Sequence, residues 1–187
     1  MAIEAVILAG GLSKRMGTNK SLVTLNHKSL ISHVVDRINP QVNKVWINTN
    51  EILSEYSKDI QFTDVMCERI GPLGGIYSSL DTVTSEWIQF CSNDCPFIPN
   101  DLVEKLYSSK YSNKINILVP KIRNKHEPTF ILCHRSAIET IPIYIKRKNY
   151  KLMHWIEKHD YQDVEFYDPH AFVNINDKVT LKNYQNE

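Results

Sequence analysis

Short apolar runs alternate with amphipathic stretches along most of the chain. The first run, Ile3 to Leu8, is apolar almost throughout, as expected for a strand that is covered on both faces. Apolar residues then recur at helical spacing from Leu30 to Ile38, and Pro40 ends that helix. Because strands that alternate with helices favour βα units, the pattern predicts one three-layer α/β domain over residues 1–187, with a mostly parallel sheet.

The same criteria place the remaining elements. Further strands are expected at Val45 to Asn48, Ile60 to Phe62, Trp87 to Cys91, Ile115 to Val119, Thr129 to Cys133 and, as a last edge strand, Val164 to Tyr167. Further helices are expected at Ile52 to Tyr56, from the turn Gly71 to Gly75 through Leu80, and at Asp101 to Tyr107, Arg135 to Ile145 and Tyr150 to Lys158. The polar stretch Lys121 to Glu127 is interpreted as a mobile loop.

Composition and charge narrow the class of protein. With 187 residues, 42% of them hydrophobic, the chain can bury a core without disulfides or a structural metal. A net charge of +1 creates no overall electrostatic attraction to nucleic acid or anionic lipid, so neither is an expected partner. The apolar run Ala5 to Ala9 lacks the positive flank of a signal peptide, and no apolar run approaches the ~20 residues that span a bilayer. We therefore expect a soluble, cytoplasmic protein.

The cysteines fit no paired zinc pattern. They lie at Cys67, Cys91, Cys95 and Cys133. Free thiols in a reducing compartment explain them better than a disulfide framework does. Cys91 and Cys95 could be redox or metal partners, but buried small apolar residues at a strand end are the favoured interpretation.

The loop Leu8 to Lys20 (LAGGLSKRMGTNK) carries the clearest chemical signal. Gly10 and Gly11 allow a sharp turn whose amide N–H groups can approach an anion. Three cations follow at Lys14, Arg15 and Lys20. A glycine-rich connection with solvated cations is the alternative, but three cations in so short a loop favour phosphate binding. The spacing matches neither the Walker loop nor the dinucleotide-binding pattern.

Two carboxylates follow predicted strands. Asp94 comes shortly after the buried strand that ends at Cys91, and Asp64 follows the strand that ends at Phe62. A carboxylate at the carboxyl end of a strand, facing a phosphate loop, is a usual anchor for Mg²⁺. A turn or cap aspartate is the alternative for both. The position of Asp94 on a middle strand favours the metal, whereas Asp64 could contact the nucleotide or share that metal.

The loop Leu8 to Lys20 resembles the L-A-G-G-x-S-x-R-M-G-x-x-K motif of the molybdenum cofactor guanylyltransferases, the MobA family. Four further motifs follow in the order of that family: Gly71-Pro-Leu-Gly-Gly75, Asp94-Cys-Pro96, His126-Glu-Pro-Thr129 and Phe172-Val-Asn-Ile-Asn176. The first motif is shared with the wider superfamily of sugar-nucleotide and cytidylyl transferases. The near-terminal motif narrows the resemblance to the molybdopterin branch.

The resemblance implies a Rossmann-like fold and transfer of GMP from GTP to the phosphate of the molybdenum-molybdopterin cofactor, with release of pyrophosphate. It also implies which residues act. Nucleotide contacts would come from Leu8, Ala9, Gly10, Lys20, Asn48, Asp64 and Asp94. Arg15, Lys20 and Asp94 would be catalytic, with Asp94 holding Mg²⁺.

The motifs say less about which residues bind the acceptor or a partner protein. Asn174 and Asn176 have alternating spacing, so in an extended segment they would point to one face and could bind the pterin ring. The alternative is that they cap the next helix or order a turn. His126 could touch the acceptor, and an exposed loop histidine is the alternative. The basic run from Lys146 to Lys151 suits a solvated helix end, but it could also support docking of the pterin phosphate or transient contact with molybdoenzyme-maturation proteins.

Two rival functions remain open. A cytidylyl or uridylyl transferase of the same superfamily would act on a sugar or alcohol phosphate, and a comparison of GTP with CTP separates it. A non-catalytic nucleotide-binding protein would bind without turnover, and the presence of both Lys20 and Asp94 disfavours it.

Overall fold

The computed structural model describes residues 2–10, 23–65 and 70–185. Its strands are β1 Ile3–Leu8, β2 Thr24–Leu25, β3 Lys28–Ser29, β4 Lys44–Asn48, β5 Gln61–Phe62, β6 Trp87–Ser92, β7 Ile117–Ile122, β8 Lys125–His126, β9 Leu132–His134 and β10 Tyr161–Phe166. Its helices are α1 Leu30–Ile38, α2 Pro72–Ser78, α3 Leu102–Ser108, α4 Arg135–Ile138, α5 Ile141–Lys146, α6 Leu152–Ile156 and α7 Lys178–Tyr184.

The strands form a mixed, mostly parallel sheet of order β10-β7-β9-β6-β1-β4-β5, with β8 paired to β7. The pairs β1–β4, β1–β6, β4–β5 and β7–β10 are parallel, whereas β9 runs antiparallel to both β6 and β7. The strands β1, β4, β5, β6, β7 and β10 therefore all end at one edge, here called the carboxyl edge. The predicted sheet is confirmed, with β10 at its outer edge as expected.

Alternate residues of β1 reach opposite sides of the sheet. Ala5 and Ile7 pack with α1 and α3 in one buried cluster, and Val6 packs with α2 and the α4–α6 region in another. Because both faces are covered, the strand is apolar apart from Glu4, which explains why β1 lacks the alternation of a half-exposed strand. The three-layer prediction is confirmed.

The buried face and the two ends of helix α1 are explained by its sequence. Its apolar residues Leu30, Ile31, Val34 and Ile38 are all buried, and the Ser29 hydroxyl caps the first turn by accepting from the Ser32 N–H group at 3.3 Å. Pro40 lies in the 3₁₀ turn that ends it. None of the helices formed by the described residues is long and apolar enough to cross a membrane.

The predicted helix at Ile52 to Tyr56 is wrong. This stretch turns without forming a helix, because the Gln61 side chain binds its backbone instead. The Leu53 N–H group donates to Gln61 Oε1 at 2.8 Å, and Gln61 Nε2 donates to the carbonyls of Leu53 and Tyr56 at 3.0 and 2.9 Å. The amide of a neighbouring strand thus replaces the hydrogen bonds that a helix would make.

The mobile loop predicted at Lys121 to Glu127 is also wrong. Strand β7 continues to Ile122 and returns as β8, so the stretch is a hairpin. Arg123 and Asn124, at its tip, both have positive φ, 48° and 63°. Two consecutive left-handed residues match the twist of the flanking strands, so this turn closes a tight hairpin.

A 3₁₀ turn and a proline change the bounds of two further predicted elements. Residues Pro128–Phe130 form a 3₁₀ turn, so the strand predicted from Thr129 begins only at Leu132. The helix predicted from Arg135 to Ile145 is broken into α4 and α5. Pro142 lies in the first turn of α5, where its missing N–H group is tolerated; in a continuous helix its ring would clash with the carbonyl four residues earlier.

At the opposite edge of the sheet, the Glu4 carboxylate is almost fully buried, with 7% exposure. Its Oε2 accepts from Trp46 Nε1, and its Oε1 accepts from the hydroxyls of Thr84 and Ser85 at 3.0 and 2.8 Å and from the Ser85 N–H group at 3.0 Å. Burial raises the pKa of Glu4, but the hydrogen bonds from Trp46, Ser85 and Thr84 outweigh it and hold the pKa below its ordinary value of 4.5.

Replacing Glu4 by glutamine is expected to lower the free energy of unfolding at neutral pH by about 1–3 kcal/mol, because the amide NH₂ would face a donor. Since the pKa of Glu4 is depressed in the folded state, its contribution is complete above its ordinary pKa and is lost as pH falls through the folded pKa. Urea unfolding of both proteins at neutral and acidic pH measures this, and the difference should shrink in acid. The exposed Glu157→Gln is the control; an equal loss there, or a pH-independent difference, would contradict the prediction.

Candidate active site

The carboxyl edge brings together residues that lie far apart in sequence. In the register of the sheet, Leu8 at the end of β1 lies beside Asn48 on β4 and beside Ser92 on β6. The chain leaves β5 toward Asp64 and β6 toward Asp94. Because neighbouring parallel strands end at the same edge, the segments of the predicted nucleotide site converge there without any special contact.

Asp64 is held by two asparagines from the end of β4. Asn48 Nδ2 donates to Asp64 Oδ1 at 2.9 Å, and Asn50 Nδ2 donates to Asp64 Oδ2 at 3.3 Å. Asn50 also donates to the Gly10 carbonyl at 3.4 Å and accepts from the Asp64 N–H group at 3.3 Å. Sequence reasoning missed Asn50; its position two residues beyond Asn48, at the same strand end, was the available signal.

Helix α2 approaches this network very closely. It begins after Gly71, whose φ of 68° favours glycine, and Pro72 fills its first turn. An ideal Cβ at Gly75 would lie 2.3 Å from Asn48 Oδ1 and 2.8 Å from Leu8 Cδ2. Only glycine permits this packing, so Gly75 lets α2 lie directly against the ends of β1 and β4. The sequence predicted the turn and the helix but not this contact.

Asp94 lies at the end of β6 with 7% exposure. Its Oδ1 accepts from Ser92 Oγ at 2.6 Å, and the Cys95 thiol lies 3.6 Å from the same oxygen. Two donors on one carboxylate oxygen orient the group. The sequence did not indicate that Ser92 and Cys95 position Asp94.

The C-terminal segment 172–176 returns to Asp94. The Ile175 N–H group donates to the Asp94 carbonyl at 2.9 Å, and Cys95 Sγ lies 3.5 Å from the Phe172 carbonyl. Asn174 is half-buried, and its buried Oδ1 has no hydrogen-bond partner among the described residues, whereas Asn176 is exposed. Helix α7 is capped by Asp177, which accepts from the Thr180 N–H group at 2.8 Å, so the capping alternative for the asparagines is wrong.

The predicted cations of the site lie outside the described residues. Lys14, Arg15 and Lys20 fall between residues 11 and 22, so their phosphate roles stay predictions. His126 is not a free loop residue: its Nε2 lies 2.9 Å from Asp163 Oδ1 on β10. In the basic run, Lys146 ends α5, and residues 146–148 are exposed.

The residues at this edge fit Mg²⁺ better than a transition metal. In the described parts of the chain, no group of three or more His, Cys, Asp or Glu side chains could hold a metal by itself. Mg²⁺ commonly binds one or two carboxylates and completes its shell with phosphates and waters. Asp94 would supply a carboxylate, and the Asn174 oxygen, which has no partner in the described parts of the chain, lies in the segment bound to it.

The three cysteines that the structure describes do not add a metal or redox centre. Cys91, Cys95 and Cys133 are free and buried. Burial raises the pKa of the Cys91 and Cys133 thiols, and burial together with the Asp94 charge raises that of Cys95. Thiols that stay protonated are poor metal ligands and poor nucleophiles. Burial of Cys91 and Cys95 as small apolar residues is confirmed; Cys67 lies outside the described residues.

The family model for the MobA-like NTP transferase domain matches residues 5–164. The chain belongs to this family. A molybdenum cofactor guanylyltransferase from Shewanella sp. (strain MR-4) is 34% identical over 94% of this chain and 91% of its own length. Another from Vibrio vulnificus (strain YJ016) is 34% identical, with coverage of 96% and 93%.

Solved structures share the fold. Molybdopterin-guanine dinucleotide biosynthesis protein A from Archaeoglobus fulgidus matches with a TM-score of 0.80 at 22% identity, over 98% of this chain and 97% of that one. The 2-C-methyl-D-erythritol 4-phosphate cytidylyltransferase of Thermus thermophilus matches with a TM-score of 0.72 at 12% identity, over 100% and 98%. The Rossmann-like nucleotidyltransferase fold implied by the motifs is confirmed.

Proposed function

We propose that this chain is a molybdenum cofactor guanylyltransferase. It transfers GMP from GTP to the phosphate of the molybdenum-molybdopterin cofactor, and it releases pyrophosphate as the guanine dinucleotide cofactor forms. The observation that carries the proposal is the match, over nearly the full length of both chains, to relatives that bear this name. The convergence of Leu8, Asn48, Asp64 and Asp94 at the carboxyl edge supports it.

Different residues at this edge would bind different parts of the nucleotide. The backbone of Leu8 to Gly10 and the side chain of Asn48 face the guanine base in this proposal. One hydrogen of Asn48 Nδ2 is donated to Asp64, and in this proposal Asn48 Oδ1 would accept from an N–H group of the base. Arg15 and Lys20 would bind the phosphates, the arginine as a planar fork and the lysine as a point charge.

The reaction needs positioning more than acid–base chemistry. An oxygen of the acceptor phosphate attacks the α-phosphorus of GTP in line, a new P–O bond forms, and the bond to the β-phosphate oxygen breaks as pyrophosphate leaves with the electron pair. The acceptor phosphate is already largely ionised at neutral pH, so it needs no strong general base. Arg15 and Lys20 stabilise the charge on the equatorial oxygens. Mg²⁺, held at Asp94, supplies further positive charge when bound.

The remaining assignments extend the same proposal. Asn174 and Asn176 would contact the pterin of the acceptor; their support is the return of segment 172–176 to Asp94. The exposed basic residues after α5 could meet the acceptor phosphate or a maturation protein. Buried free thiols suit a reducing cytoplasm, where we place the protein.

Pyrophosphate release with GTP, ATP, CTP and UTP, with and without molybdenum-molybdopterin, tests the function. We expect release only with GTP, Mg²⁺ and the acceptor together, because base groups left unpaired in the pocket cost about 1–3 kcal/mol each. Equal turnover with CTP on a sugar or alcohol phosphate would move the protein to the cytidylyl branch. Binding of GTP without turnover under every condition would make it a non-catalytic nucleotide-binding protein.

A further inference from the structure

The Cys95 thiol lies between two groups of the site. It is 2% exposed, and its Sγ is 3.6 Å from Asp94 Oδ1 and 3.5 Å from the Phe172 carbonyl oxygen. A thiol has one hydrogen, so it donates to one of these oxygens at a time while remaining in contact with both. The thiol therefore connects the loop after β6 with the C-terminal segment 172–176.

The position of the Phe172 carbonyl is set by the core. The Phe172 ring packs against Phe130 and Phe166, with ring centroids 4.9 and 5.3 Å apart, and the residue has a φ of 63°. A bulky residue in the left-handed region persists only where its surroundings hold it, and here two aromatic contacts do so. The carbonyl is thus a fixed acceptor rather than part of a loose chain end.

The Asp94 carboxylate is oriented from two sides. Ser92 Oγ donates to Oδ1 at 2.6 Å from the strand side, and Cys95 approaches the same oxygen from the side of the returning segment. The backbone of Asp94 is tied to that segment as well, through its carbonyl and the Ile175 N–H group at 2.9 Å. Removal of the thiol would take away the donor on the side of the returning segment.

We infer that Cys95 is a positioning residue, whose thiol couples the orientation of the Asp94 carboxylate to the C-terminal segment 172–176. The inference rests on the proposed role of Asp94 in holding Mg²⁺. An ionised carboxylate has about four lone-pair sites, so the thiol can go on donating to Oδ1 while a cation binds the same carboxylate. The same side chain then supports the carboxylate both before and after metal binding.

The test measures metal binding directly, with Mn²⁺ as the probe. Free Mn²⁺ is followed by electron paramagnetic resonance during titration of the full chain in the presence of GTP. Cys95→Ala is expected to weaken Mn²⁺ binding by about three- to tenfold, the effect of one modest hydrogen bond. Cys95→Ser keeps a donor and should stay within about twofold of the parent. In turnover assays, saturating Mg²⁺ should restore the kcat of Cys95→Ala.

Two control variants keep the outcomes distinct. Cys133→Ala removes another buried thiol, in the middle of β9, and should leave Mn²⁺ binding unchanged. Parent-like Mn²⁺ binding by Cys95→Ala, or an equal loss in Cys133→Ala or Cys95→Ser, would overturn the inference alone. Unchanged binding in Asp94→Asn would remove the proposed metal role of Asp94, and the role of Cys95 with it.

Discussion

Asp94→Asn is expected to lower GMP transfer by about two to three orders of magnitude, the usual effect of removing one preorganised electrostatic group. Asparagine has nearly the same shape and can still accept from Ser92 Oγ, so the fold should persist. The negative charge that would hold Mg²⁺ is lost. Pyrophosphate release measured against Mg²⁺ concentration gives the size of the effect, and thermal unfolding checks the fold.

Asp101→Asn is the matched control. Asp101 follows the same loop, is exposed and makes no side-chain cap of α3, so its replacement should change neither turnover nor the Mg²⁺ dependence. If Asp94→Asn instead shows the Mg²⁺ dependence of the parent protein, Asp94 is a turn residue and the metal is held elsewhere.

Gly75→Ala is expected to lower kcat/KM for GTP by about a hundredfold, the effect of misplacing a substrate-binding group by about an ångström. Its Cβ would lie 2.3 Å from Asn48 Oδ1, so Asn48 or α2 must move. In Gly74→Ala, one position earlier in the same helix, the new Cβ would lie 3.2 Å from Ile70 Cγ1 and 3.5 Å from Asp64 Oδ2. The first contact needs only a small shift and the second is an ordinary van der Waals contact, so this variant should stay near the parent activity. Steady-state kinetics with varied GTP compares the two.

Comparison of Gly74→Ala with Gly75→Ala also separates an effect on helix stability from the local clash. Alanine favours a helix over glycine by about 0.5–1 kcal/mol at either position, so propensity cannot explain a difference between the variants. If the clash with Asn48 is the main cause, Gly75→Ala should cost less when added to Asn48→Ala than it does in the parent, and the remaining cost comes from Leu8 Cδ2 at 2.8 Å. Equal losses in Gly74→Ala and Gly75→Ala would refute the close-approach explanation.

Elements with a strong local pattern were predictable. The bounds of β1 and α1 match the predicted ranges, because a strand covered on both faces is apolar throughout and a surface helix repeats its apolar residues every three or four positions. Elements decided by a distant partner were not. The turn at Leu53 depends on the Gln61 amide, and the hairpin tip at Arg123 depends on two left-handed residues that lack the usual glycine.

The candidate site likewise has some features that the sequence determines and others that only the tertiary structure decides. The sequence by itself determined that carboxylates follow β5 and β6, because each comes after the end of a strand, whereas the glycine turn and the cations between residues 11 and 22 stay predictions. Parallel pairing then brings those ends to one edge. Only the tertiary structure decided that Gly75 touches Asn48, that Asn50 braces Asp64, and that Cys95 lies between Asp94 and Phe172. These contacts join residues from separate elements at distances of a few ångströms, and such distances depend on how helices and returning segments pack, which no local pattern encodes.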